Sequence, residues 1–199
     1  MLTIETTPGC GQTPSVVLLL EERGVPYTLV VKDKGHFMAT YHRPGPRLVD
    51  GAFTLMEAGA IMRHIERMCR DDADADGDNS SRIDEWGSLA SRMALSALNA
   101  RREMMEKNDA RPARIKEERE KIDNCLRIVD AALADRFWLL GEWTAADAAF
   151  GHLSRFGGAL ELERFPRVHA WVARMQQRPA WQRAQAALAA AQPPARHVA

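Results

Sequence analysis

Cys10, Glu57 and the Gly45-Pro46 pair are the residues of this chain whose types and placement suit chemistry. Cys10 follows a Pro8-Gly9 turn that leads from the short strand pattern Leu2-Thr3-Ile4-Glu5 into a helical run, Val16 to Arg23, which Gly24 can stop. A thiol near a helix start ionises more easily, its pKa falling from about 8.5 toward about 3.5–7.5 at reactive positions. Thr13 stands three residues on, giving Cys-x-x-Thr and not a dithiol, so a single thiol that forms mixed disulfides is the natural chemistry. Pro14 places the start of regular helix at or after Gly11. An inert, half-buried cysteine is the alternative that local sequence leaves open. Cys69 and Cys125 fit that inert role better, Cys125 lying on an apolar helix stripe.

The run Gly45-Pro46-Arg47-Leu48-Val49-Asp50-Gly51, followed by Ala52-Phe53-Thr54-Leu55-Met56-Glu57-Ala58, reads as strand, tight turn, strand and helix start. Proline cannot donate to a sheet ladder, so Pro46 belongs at a strand's first position or on an edge. Asp-Gly between short apolar runs signals a hairpin. A cis bond before Pro46 would turn the N–H and C=O of residue 45 outward, where a ligand's backbone can pair with them. The spacing beyond Met56 predicts a helix with Glu57 in its first turn. Free N–H groups there favour a carboxylate ligand while Glu57 accepts from an ammonium, so the corner suits the zwitterionic end of an amino acid or short peptide. An acid in a first turn also stabilises the macrodipole by about 0.3–1 kcal/mol with no ligand.

These residues need a scaffold. Tyr27-Thr28-Leu29-Val30-Val31 is apolar and β-branched enough for a parallel strand buried on both faces, and the link containing His36 to Arg43 shows no clear pattern. Strand, helix, strand, hairpin and helix make a small α/β domain ending near Cys69. An Asp-rich stretch from Arg70 to Ser81 reads as a linker. Beyond it Ile83, Trp86, Leu89, Ala90, Met93 and Ala97, then Ile115, Ile122, Cys125, Leu126, Val129 and Leu133, recur at helical spacing. Two long antiparallel helices follow, with Pro112 at the break between them. Thr144-Ala145-Ala146-Asp147 is a capping-box variant, and Phe165-Pro166 and Arg178-Pro179 open further helices whose Trp171, Val172, Met175 and Trp181 are core. The expected domains are residues 1–70, a linker at 71–81, an all-helical domain at 82–190 and a flexible tail at 191–199.

Composition narrows the function classes. Of the 199 residues 46% are hydrophobic, ordinary for a globular protein, and 27 Lys+Arg balance 27 Asp+Glu, so neither nucleic acid nor an anionic membrane is an expected partner. Met1-Leu2-Thr3-Ile4-Glu5 has neither a basic segment nor an apolar run, which predicts a cytoplasmic protein. Three separated cysteines predict neither a disulfide framework nor a zinc site, and the six histidines are expected to be scattered on the surface.

Taken together, these elements resemble the cytosolic glutathione transferase family over nearly the whole chain. The segments that carry the resemblance are Glu21-Glu22-Arg23-Gly24-Val25-Pro26-Tyr27, Pro46 through Ile61, Thr144 to Asp147, and Phe165-Pro166 through Arg178-Pro179-Ala180. The resemblance implies a thioredoxin-like N-terminal domain followed by a helical glutathione-transferase C-terminal domain. It also implies glutathione as co-substrate with no metal, a small hydrophobic electrophile or a disulfide as the second substrate, and a homodimer. By position, Pro46 looks like the family's cis-proline, with Gly45 pairing the cysteinyl backbone of glutathione, and Glu57-Ala58 like its acid-serine pair for the γ-glutamyl end. Ala58 keeps the N–H but lacks the hydroxyl, a loss of about 0.5–1.5 kcal/mol. The run before Pro46 is shorter than usual, and His36 and Arg47 are further implied contacts. Thr7-Pro8-Gly9-Cys10 resembles the cysteine-type bacterial, beta/omega-like branch, which makes Cys10 the catalytic residue. Glutathione conjugation or thiol transfer is the expected activity. Ala58 and the short loop keep a non-catalytic interaction or regulatory module as the alternative. A third possibility, isomerisation of small dicarboxylates, would call on Arg101 and Arg102.

Overall fold

The computed structural model describes residues 1–41, 45–69, 77–105, 111–156 and 160–191, with the side chains of Lys34, His36, Gly77, Asp78, Arg155 and Phe156 left aside. A run of eight consecutive buried residues, Thr13 to Leu20, sits in the first helix, α1 (Thr13–Arg23). A helix covered on every side must lie inside the molecule, and the rest of the chain is arranged around it. Its neighbours include α3 (Ala58–Met68), the short α6 (Ala145–Ala148), a 3-10 turn (Ala149–His152) and α9 (Pro179–Ala190). Gly24 ends it at φ 62°, where Val25 N–H donates to Leu20 O at 3.0 Å.

The strands β1 (Leu2–Thr6), β2 (Tyr27–Val31), β3 (Arg47–Asp50) and β4 (Phe53–Met56) form one sheet in the order β2-β1-β3-β4. β1 runs parallel to β2, Leu2 opposite Tyr27, and antiparallel to β3, Ile4 opposite Leu48. Leu2, Ile4 and Leu48 are buried, so the alternation of β1 directs one face into the core. The expected parallel strand at 27–31 is present, but all five of its residues are only partly covered because β2 is an edge strand. The hairpin loop is Gly51-Ala52, with Gly51 at φ 57°; Asp50 pairs with Phe53 inside the ladder. The link after β2 is a helix, α2 (Lys34–Tyr41), held by the buried ring of Phe37.

The helical half begins with α4 (Gly77–Met105) and α5 (Arg111–Ala132), the two long helices expected. Residues 77–81, expected to be linker, are the first turns of α4; the remainder of that stretch, the segment before Pro112 and the tail at 192–199 fall outside the described residues. Then come α6, the 3-10 turn, α7 (Leu153–Phe156), α8 (Pro166–Gln176) and α9. The capping box forms: Thr144 Oγ1 accepts from Ala146 N–H at 3.2 Å and Asp147 Oδ2 accepts from Thr144 N–H at 3.1 Å. Asp147 is fully buried and its Oδ1 also accepts from Leu139 N–H at 3.1 Å and Trp171 Nε1–H at 2.9 Å. Burial pushes its carboxyl upward while these donors oppose the shift.

One apolar cluster spans both halves. Where they meet, Gly151 approaches α1 so closely that a Cβ would stand 2.9 Å from Ser15 Cα and 3.0 Å from Pro14 O. Ser15 Oγ–H donates to Ala149 O at 2.7 Å across the same seam. Farther along, guanidinium groups alternate with rings: Arg174 lies over Phe137 (5.3 Å) and Trp138 (6.0 Å), Arg178 over Trp138 (5.3 Å) and Trp143 (4.9 Å), and Arg23 over Trp143 (5.9 Å). Arg178 is paired with Glu22 and Arg23 with Glu66, tying the stack to α1 and α3.

Gly151→Ala is expected to destabilise the protein by about 1–3 kcal/mol, because the added methyl meets backbone that cannot swing aside. Urea unfolding measures it, and a loss under 0.5 kcal/mol, the ordinary range for neutral sites, would show that the seam yields.

Candidate functional site

The turn Thr7-Pro8-Gly9-Cys10 closes with Cys10 N–H donating to Thr7 O at 3.1 Å, Gly9 at φ 77°. Proline then positive-φ glycine is the pattern of a type II turn, and it delivers Cys10, half-buried, three residues ahead of α1. Gln12 is the cap residue and makes no side-chain cap; Pro14 has no N–H to offer and Ser15 N–H donates to Gln12 O at 3.2 Å. Thr13 is buried, its Oγ1 2.5 Å from Thr6 Oγ1. No disulfide involves Cys10, Cys69 or Cys125. Burial raises the thiol pKa of Cys125 and of Cys69, as an inert role requires.

Glu57 does not fall inside the first turn of α3. It is the cap residue, at φ 74° and ψ 121°, and makes no side-chain cap. A bulky residue rarely holds positive φ, at a cost on the order of 1–3 kcal/mol. The exposed Glu57 lines a cleft of about 1200 Å³ between the start of α3, the outer face of α3 and the flank of α4. Gln12, Arg63, His64, Asp84 and Ser91 also line it, residues that local patterning did not single out. Arg63 is paired with Asp84, and Phe53 stacks on His64 at 4.8 Å. Ala58, buried at the first position of α3, lines a smaller void beneath this cleft.

The remaining expected residues are placed as follows. Gly45 precedes Pro46 through a trans bond, since no cis peptide bond occurs among the described residues. The cis-proline that the resemblance implied is thus corrected. The chain turns at Gly45, whose φ of 145° is open to glycine, and an X-Pro bond with no such demand prefers trans by about 0.5–1 kcal/mol. The outward display of the residue 45 main chain expected from a cis bond is therefore not built here. Pro46 is buried, and Arg47 donates to Glu5 at 2.9 Å while covering the Tyr41 ring at 4.6 Å. His36 lies in α2. Cys10, Gly45, Pro46 and Arg47 are not among the residues lining the large cleft, and neither are Arg101 and Arg102, which are exposed on α4.

The histidines are not all superficial. His152 is fully buried, its Nδ1 3.2 Å from Ala149 O, and burial pulls its pKa down to about 4. Among the described residues no group of three His, Cys, Asp or Glu is placed to hold a metal, and no helix is long and apolar enough to cross a membrane.

A sheet that carries a thiol turn and an acid at a helix-cap position shares one apolar core with a helical half that contains a buried capping box. Residues 93–179 match the family described as Glutathione S-transferase, C-terminal domain. The fold is that of a glutathione transferase. The glutathione transferase URE2P6 from Phanerochaete chrysosporium, solved with oxidized glutathione, superposes with TM-score 0.84 at 20% identity over 96% of this chain and 97% of that one. Ure2p in complex with glutathione gives 0.82 at 20% over 92% and 97%, and a glutathione-S-transferase from Xylella fastidiosa 0.78 at 21% over 94% and 98%. No curated protein sequence matches the chain. The glutathione-transferase fold thus combines the thioredoxin-like sheet domain with the helical C-terminal domain that the resemblance implied.

His152 titrates near 4 when folded, against about 6.5 when unfolded. Between those values the unfolded chain binds the extra proton, so stability is full above about pH 6.5 and falls as the pH drops through 4, by on the order of 3 kcal/mol. Urea midpoints from pH 7 to pH 4 measure this, and His152→Leu should remove that part of the slope. An acid slope identical in the variant would refute the assignment.

Proposed function

We propose that the protein is a glutathione-dependent transferase that seats the γ-glutamyl end of glutathione at the start of α3. The observation that carries this is Glu57: an acid held at φ 74° in front of an 11-residue helix, lining the cleft. Strain is kept where a structure over-determines it for use. The ammonium of the ligand pairs with the Glu57 carboxylate and its α-carboxylate meets the N–H groups of Ala58 and Gly59, an arrangement suited to a zwitterion. Glutathione-bound neighbours of the same fold support the choice of ligand. Gly45, Pro46 and Arg47 complete the groove toward the other end, by shape more than by charge, since Arg47 is committed to Glu5.

In this reading Cys10 meets the glutathione sulfur. In thiol transfer its thiolate attacks the glutathione sulfur of a mixed disulfide, expelling the other thiol and leaving Cys10 joined to glutathione. A second glutathione thiolate then releases oxidised glutathione and restores Cys10. With a small hydrophobic electrophile, main-chain donors at the start of α1 beside Cys10 hold the glutathione thiolate ionised for attack. We place the protein in the cytoplasm as a homodimer, as the family resemblance implies. One observation favours a second reading, a non-catalytic interaction module: Cys10 does not line the large cleft.

Millimolar glutathione is expected to raise the melting temperature by about 3 °C, the shift that roughly 1 kcal/mol of ligand binding gives a chain of this size. Cys10→Ala should keep that shift and lose at least about a hundredfold in thiol transfer, about 2.7 kcal/mol of barrier. Binding with unchanged transfer favours the interaction module, and no shift at all removes glutathione. Glu57→Gly, which relieves the positive φ, should hold or raise stability by about 1 kcal/mol while weakening glutathione binding about tenfold. A variant that is both less stable and equally tight would contradict the role of the strained acid.

A further inference from the structure

Beneath the cleft lies a void of about 20 Å³, where Gln12, Ser15, Ser91 and His152 stand among mostly apolar walls such as Met62 and Ala94. Gln12, Gly59, Ser91 and Ala149 line the large cleft as well, so the void is its floor. His152 is 1% exposed, and its Nδ1 is 3.2 Å from the carbonyl oxygen of Ala149. A carbonyl only accepts, so Nδ1 carries the proton and Nε2 is left as an acceptor. Among the described residues no group donates to that Nε2. An acceptor buried without a donor is costly, and about 10–15 Å³ is enough to admit one water where polar partners converge on it.

We propose that this void holds a single buried water that donates to His152 Nε2 and meets the Ser91 hydroxyl and the Gln12 amide, making His152 a positioning residue for the cleft. The water joins the 3-10 turn of the helical half to the cap residue of α1, two positions beyond Cys10, and to the flank of α4. His152 touches no ligand. It acts through Gln12 and Ser91, both of which line the cleft. Replacing the acceptor with an apolar group leaves the water one partner short and frees both side chains to rotate. Water-mediated links of this kind are nearly as favourable as direct ones, so their loss is felt at the wall they hold.

The occupancy of the void tests the first half without any ligand. Nitrogen-15 spectra of the histidine ring in the full chain are expected to show a protonated Nδ1, a hydrogen-bonded Nε2 and a cross-peak from His152 to a long-lived water; a non-hydrogen-bonded Nε2 with no such water overturns the proposal. The second half rests on the glutathione reading above and is read from affinity. His152→Leu should weaken glutathione binding about tenfold, and His152→Gln, whose carbonyl restores an acceptor, should recover it to within about threefold. A folded leucine variant that binds as tightly as the parent, or a glutamine variant as weak as the leucine one, overturns the positioning role. Should the parent protein show no glutathione binding, the proposed function fails while the ring spectra still decide the water. If the leucine variant does not fold, the spectra and the glutamine variant decide.

Discussion

The contact of Gly151 with the backbone of Pro14 and Ser15 is the constraint from which the site geometry follows. Two main chains approach to a distance that excludes even a methyl group, and a hydroxyl from one side closes the gap by donating to a carbonyl of the other. Because the touching atoms belong to rigid turns and not to flexible side chains, the start of α1 cannot slide relative to the helical half. The thiol turn, the unassisted cap at Gln12 and the cleft wall built on α4 are therefore in register with one another. Asp147 holds the other side of this joint, gathering the start of its own helix, a loop amide and the indole of Trp171 around one carboxylate.

Rigidity at the seam contrasts with stress at the cleft. Glu57 sits in a conformation that costs free energy in every molecule, whether or not anything is bound. Its neighbour Ala58 is packed against the core and supplies only its main chain. The corner therefore divides labour between a strained charged residue that faces outward and an apolar one that anchors the helix behind it. Across the sheet the Gly45-Pro46 corner reaches its shape by a different route from the one expected, through glycine torsion and not through the peptide bond.

Elements with strong periodicity or unambiguous punctuation were legible before any coordinates. The hairpin at 47–56, the stop at Gly24, the two long helices and the capping box at Thr144 each rest on a local rule that tertiary packing had no reason to override. α2 was not legible as a stripe, since Phe37 is the one residue it buries among the described side chains, but Asp33 signalled it: its carboxylate accepts from Gly35 N–H at 2.8 Å, as a residue ahead of a helix does. β2 looked interior by composition and is an edge, because strand order depends on which partner the hairpin chooses. Glu57 was found as a residue and misplaced by one position, and that one position carries its strain. The burial of His152 was illegible, since a histidine beside a glycine in a short turn gives no period to read.

The alternating rings and guanidinium groups from Phe137 to Arg23 have a consequence for the conditions the protein tolerates. Exposed ion pairs such as those along α5 weaken as electrolyte is added, because mobile counterions reach both partners. Arg178 lies over two indoles with its charge met by the nearly buried Glu22, so counterions reach this pair less readily than those along α5. Flat delocalised cations suit such layers and compact ammonium groups do not, so lysine is a poor replacement at that layer. The two halves should therefore stay joined in brine strong enough to silence the charges on the outer helices.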